Sequence, residues 1–171
     1  MTLRDHFVTL ARYHHWATQR LLDEHVARLP EAEYRRDCGL FFKSVHGTLN
    51  HLLVAELSVW LRRFIDGASP EVPLDGEAEN DRLRLRDRLL DGAAQWLQFV
   101  EAQPQSRFAR PLRYQTGSSR QVELPFSAAL AHVFNHGTHH RGQISAALTA
   151  MGQPIPLIDL VFMLQQRAAT G

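Results

Sequence analysis

Apolar residues recur every three to four positions over four long stretches of this chain, and each stretch predicts an amphipathic helix. The first runs from about Leu3 to Arg28, with Phe7, Leu10, His14, Ala17 and Leu21 on one face, and Pro30 ends it. The second, from about Ser44 to Ile65, carries Val45, Leu49, Leu52, Leu53, Trp60 and Phe64 on a broad apolar face. Gly67 and Pro70 close it, and turn formers continue to Gly76. The third spans about Glu77 to Ala102, with Leu83, Leu90, Ala94, Leu97 and Val100 in helical register. The fourth starts at Pro125 or Phe126 and runs to about Met151, where Gly152 is a suitable stop. Pro154 and Pro156 then precede a short C-terminal helix, about Leu157 to Arg167.

Only residues 106–123 break this pattern. Arg110, Leu112 and Tyr114, then a Gly-Ser turn, then Arg120, Val122 and Leu124 predict a small hairpin or structured crossover. Long helices with few strand signals make an all-α four-helix bundle the expected fold, as one domain over residues 1–171. A formal charge of +1 carries no electrostatic call to nucleic acid. The arginines of 82–88 alternate with Asp81, Asp87 and Asp91, as on a solvated helix face. One cysteine, Cys38, excludes an intrachain disulfide and a cysteine-based zinc site. No apolar run has the length to span a bilayer and no signal peptide is evident, so the expected setting is cytoplasmic.

The histidines change the picture from fold to chemistry. At about 100° per residue, His132, His136 and His140 share one helix stripe, and His139 widens it only slightly. His136 and His140 stand four apart and can reach one ion, for which His132 would compete from a turn away. Ala128, Ala129, Gln143, Ala147 and Ala150 flank them as small or polar neighbours that would leave room. His51 has Gly47, Thr48 and Ala55 beside it, the surroundings expected of a pocket wall. Three imidazole nitrogens make a divalent-metal site whose fourth position stays free for water or substrate. His14, on the apolar stripe of the first helix, is expected to face the same pocket, while His6, His15, His25 and His46 fit surface or packing roles.

Several tempting readings fail on spacing. The zinc-protease pattern H-E-x-x-H needs glutamate after the first histidine, and here that residue is Gly137. Glycine costs about 1 kcal/mol in a helix interior, so Gly137 implies a close helix contact or ligand approach. Glu56, five residues after His51, lies about 140° round the helix, behind the ligands or across the bundle. No G-x-S-x-G elbow is present. Core roles are expected for most of Trp16, Trp60, Trp96 and the nine phenylalanines.

The segment from His132 through His136, Gly137, His139, His140, Arg141, Gly142 and Gln143 to Ile144 resembles the signature of the DinB/YfiT-like family. Gly47 to Glu56, with Trp60 after it, is similar to that family's second-helix motif, and Trp16-Ala17 to its usual start. The resemblance covers nearly the whole chain. It implies an up-down-down-up bundle, commonly a homodimer, with His51, His136 and His140 binding one divalent ion. Three imidazoles suit zinc, nickel, copper or iron, of which zinc or nickel is expected first. His132, His139, Glu56, Gln143 and His14 then stand in the pocket or behind the ligands. Despite the shared label, nothing here resembles the translesion polymerase.

Relatives in the wider superfamily include enzymes that use low-molecular-weight thiols, such as mycothiol-dependent maleylpyruvate isomerases and bacillithiol S-transferases. The first expectation is therefore thiol transfer to a small electrophile, since a divalent ion lowers the pKa of a bound thiol. Arg141 is expected either to hold a carboxylate of thiol or substrate or to serve a helix contact. The alternatives are metal-assisted hydrolysis of a small substrate and a non-catalytic, metal-tied binding bundle.

Overall fold

The computed structural model describes residues 1–154 and 156–170. Helix α1 (Leu3–Arg20) opens with a reciprocal cap: Asp5 N–H donates to Thr2 Oγ1, and Thr2 N–H donates to the Asp5 carboxylate. It continues as a wider π-wound turn (Leu21–His25) and a 3-10 turn (Val26–Arg28), stopping before Pro30 as the sequence predicts. A short α2 (Glu31–Arg35) follows, an element that periodicity did not reveal because five residues carry no period. Helix α3 (Val45–Leu53) starts at Ser44, whose side chain accepts from Gly47 N–H. It runs on through a π-wound stretch (Val54–Leu61) into α4 (Arg62–Ile65).

Helix α5 (Arg82–Ala102) begins five residues later than expected, because Asp81 caps it by accepting from Arg84 N–H. Its buried face is also turned: Leu85, Leu89, Gly92, Ala93, Trp96 and Val100 face inward, while Leu83 is 70% exposed. Leucines occur on both sides of this helix, so periodicity alone left the phase ambiguous. A 3-10 turn (Gln105–Ala109) leads to a two-stranded hairpin, β1 (Pro111–Gln115) and β2 (Gln121–Pro125). The strands are antiparallel, with Tyr114 opposite Val122. Helix α6 (Phe126–Ala150) matches its expected bounds, whereas α7 (Leu160–Thr170) starts three residues late. No helix among the described residues is long and apolar enough to cross a membrane.

Two apolar clusters fix the helix directions. One joins Phe7 near the start of α1, Phe64 in α4, Trp96 and Val100 late in α5, and Phe126 and Leu130 early in α6. The other joins Leu21 and Leu22 after α1, Val45 and Leu49 early in α3, Leu85 and Leu89 early in α5, and Ile144 and Leu148 late in α6. The α1 and α6 rods therefore run one way, and the α3–α4 and α5 rods the other. This is the up-down-down-up bundle.

Two consecutive parallel rods have a topological consequence. The chain between them, residues 66–81, must return along the length of the bundle, and it does so as a strap over α3. Asn50 holds it by both amide ends, accepting from Glu79 N–H at 2.9 Å and donating to Glu79 O at 3.1 Å. His46 Nε2 meets Glu77 Oε1 at 2.6 Å, which gives this buried histidine the packing role expected of it. The hairpin joins the strap, since Gln115 N–H donates to Gly67 O and Ser69 N–H to Gln115 O.

Candidate metal centre

His51 from α3 and His136 and His140 from α6 bring their Nε2 atoms together. His136 Nε2 lies 3.1 Å from His51 Nε2 and 3.2 Å from His140 Nε2. His51 Nδ1 is 2.8 Å from Leu74 O on the strap; a carbonyl only accepts, so this nitrogen carries the proton. His140 Nδ1 likewise donates to Gln143 Oε1 at 2.7 Å, and Gln143 Nε2 in turn donates to His139 Nε2 at 3.1 Å. Two of the converging Nε2 atoms are thus bare lone pairs facing a third nitrogen. A single proton on His136 could close one of the two gaps, whereas a cation satisfies all three. Nitrogens about 2.0–2.1 Å from one tetrahedral zinc ion stand about 3.4 Å apart, within a few tenths of the observed spacing. The donor set fits a divalent ion.

Two features around the triad were not legible in the sequence. Phe42 stacks on the His51 ring at 3.8 Å and 14°, and tilts against His140. It reaches that place because Gly47 has no side chain; a Cβ there would stand 2.1 Å from Phe42 O. Gly47 therefore packs against the preceding loop and does not open the pocket. Of the small neighbours of His51, Ala55 alone lines the cavity. Ala129 and Ala147 are core residues, not spacers beside the imidazoles.

Behind the triad lies a buried polar network that decides between the two roles expected of Arg141 and corrects the one expected of His14. Arg141, 2% exposed, donates to His14 Nδ1 at 2.9 Å, approaches Thr18 and Thr138, and lies over the Tyr13 ring. It serves the helix contact and holds no substrate carboxylate. His14 Nδ1 accepts that bond, so its Nε2–H donates to Glu56 Oε2 at 3.1 Å. His14 is thus sealed in the bundle instead of facing the pocket, and Glu56 is buried with it. Gly137 makes the crossing possible, because a Cβ there would sit 2.9 Å from Arg141 Nη1, Glu56 Oε1 and His14 Cε1. Burial opposes ionisation of Glu56, but His14, Arg141 and His136 together hold its carboxyl below the usual range.

A cavity of about 400 Å³ opens beside His51 and His136. Strap residues 69–72 and the hairpin turn Thr116–Ser118 form its outer wall. The two walls meet at Gly117, where a Cβ would collide with the Glu71 backbone. His132 lines this cavity, 5.8 Å from His136 ring to ring, with Trp60 4.7 Å beyond it. His139 lies outside it, exposed on Gln143.

Burial pushes the His136 and His140 pKa values down to about 4, helped by repulsion from His140 and His51 at His136, and from His51 and His139 at His140; His51 is itself lowered by burial. In metal-free protein both rings stay neutral where the unfolded chain's histidines, near 6.5, take up protons. The unfolded state then binds more protons, so stability falls as pH drops from about 6.5 towards 4. Thermal melts of metal-free protein should show this decline, and a His136→Ala/His140→Ala variant a flatter one. Equal slopes would contradict the assignment.

The DinB family profile matches residues 3–169. The chain belongs to the DinB family. Protein DinB of Bacillus subtilis strain 168 is 28% identical over 156 residues, 88% of this chain and 88% of that protein. Among solved structures, the fold is similar to YfiT from Bacillus subtilis, with a TM-score of 0.66 at 13% identity over 88% of this chain and 89% of that one. YfiT is described as a probable metal-dependent hydrolase with an unusual four-helix bundle topology.

Proposed function

We propose that this protein is a divalent-metal-dependent hydrolase of a small substrate, with His51, His136 and His140 holding zinc or nickel. The observation that carries the reading is the convergence of three Nε2 atoms whose partners Leu74 O and Gln143 Oε1 lock two of the rings. The bound ion would polarise the substrate and lower the pKa of a water beside it. His132 supplies the base: it faces the same cavity, and burial together with Arg63 lowers its pKa, leaving an acceptor nitrogen free at neutral pH. The strap and hairpin narrow access to solvent. YfiT's description supports the same class of reaction.

A second reading, thiol transfer, is favoured by the burial of Glu56 behind the ligands. A thiol, with a pKa near 8.5, needs far less help from a base than water does. Its sulfur would bond to an electrophilic carbon while the leaving group departs with the bonding pair and gains the thiol proton. Homodimeric assembly and a cytoplasmic setting belong to the proposal as well.

Zinc-loaded protein, assayed on a panel of small esters and amides with and without cysteine as thiol, separates the readings. Turnover without thiol that falls at least about 100-fold in His132→Ala, at the low end of what a general base contributes, supports hydrolysis. Turnover of electrophiles only with thiol moves the assignment to transfer. Activity unaffected by chelator overturns both.

A further inference from the structure

The cavity beside the triad is lined by one guanidinium, that of Arg63, which has no counter-ion among the described residues. Its neighbour Arg62 pairs with Asp66, and Arg113 on β1 pairs with Glu123. Among the described residues Arg63 makes no ion pair, not even with Glu71, the exposed carboxylate on the same rim. It is nonetheless held in place. Its Nε–H donates to Ser69 Oγ at 3.1 Å, and its Cζ lies 4.6 Å from the Trp60 ring centroid and 4.7 Å from that of Tyr114. A cation held in the corner of two edge-to-face aromatic rings has lost water without gaining an anion.

The rest of the wall shows what sort of anion would complete it. Trp60, which touches both Arg63 and His132, offers apolar surface between them, and Ala55, Val59 and Pro70 line the same cavity. Ring to ring, the path from the triad runs from His136 to His132, 5.8 Å, then to Trp60, 4.7 Å, and on to Arg63. One arginine with an acidic rim suits a single negative charge better than a phosphate dianion. The volume of about 400 Å³ lies within the range of about 300–1,000 Å³ usual for small-molecule sites.

We infer that the substrate is a small carboxylate with an apolar body, whose carboxylate sits on Arg63 and whose reacting group points to the His51–His136–His140 end. The second half rests on the metal-dependent reading above; the first does not. Arg63 presents a planar pair of N–H donors that matches a carboxylate, and its contacts with Trp60, Tyr114 and Ser69 have already restricted its rotamers. The ligand therefore meets a preorganised group.

The test uses 3-phenylpropionate and its neutral isostere 3-phenylpropanamide, titrated into zinc-loaded protein whose zinc content is measured in every sample. The acid should bind at least about 10-fold more tightly than the amide, the usual scale for a charge-assisted bond. In Arg63→Met that preference should fall below about 2-fold, with zinc content, melting temperature and amide affinity near those of the parent. Arg63→Lys should keep part of it. A preference that survives Arg63→Met means the acid is recognised elsewhere and overturns the inference. So does equal binding of acid and amide, tighter binding of phenyl phosphate, or no binding of either probe at about 10 mM. If the parent takes up no zinc, the metal reading fails while the acid-over-amide preference of zinc-free protein still decides the role of Arg63.

Discussion

His136→Ala should lower divalent-metal affinity by more than about 100-fold, since loss of a partner merely behind a ligand already costs about 10–100-fold. Elemental analysis of protein dialysed against trace zinc or nickel reads this directly: about one ion per chain in the parent and close to none in the variant. His136 is the central member, 3.1 and 3.2 Å from the other two nitrogens, so its removal opens the set from the middle. Gln143→Ala provides the graded control. It frees His140 Nδ1 without touching a converging nitrogen, and should retain metal at reduced affinity. Full metal content in His136→Ala would remove the basis of the metal-dependent reading.

Glu56→Ala should destabilise the protein by about 3–5 kcal/mol, the scale for breaking a buried charge pair from one side. For a chain of this length that corresponds to a fall of roughly 6–20 °C in the melting temperature. The reason lies in the chain of donors: Arg141 gives to His14, and His14 gives to Glu56, all beyond the reach of solvent. Without the carboxylate, the guanidinium is left buried and uncompensated. The double variant Glu56→Leu/Arg141→Met removes both charges and should recover much of the loss. A double variant no more stable than Glu56→Ala would show that hydrogen bonding, not charge balance, holds the network.

Much of the bundle is legible in residue order alone. Leu130, Val133, Ile144 and Leu148 form one buried row of α6, as periodicity requires, because a rod half in a core must repeat near 3.6. The hairpin is legible from the alternation around Gly117. The start of α5 is not, since Glu77 to Asn80 are as polar as a solvated first turn and are instead engaged by His46 and Asn50. The rotation of α5 is also hidden, with leucines on both sides of it.

The candidate site divides in the same way. The four-residue spacing of His136 and His140 implies a shared face, because helix geometry alone sets it. That His51 joins them depends on antiparallel packing of α3 against α6, a long-range contact. Periodicity could not say whether His14, Glu56 and Arg141 met a cavity or one another. A polar residue on an apolar stripe satisfies either arrangement until its partners arrive from other helices. Arg63 and Phe42 bore no local signal at all, since their neighbours come from the hairpin, the strap and the loop before α3. What is local and periodic in this chain is therefore readable along the chain: its helices, the turn and the histidine stripe. The strap that buttresses His51, the network threaded past Gly137 and the unpaired cation in the cavity arise only when distant segments exclude water together. Desolvation is a property of the assembled bundle, and no single stretch of sequence carries it.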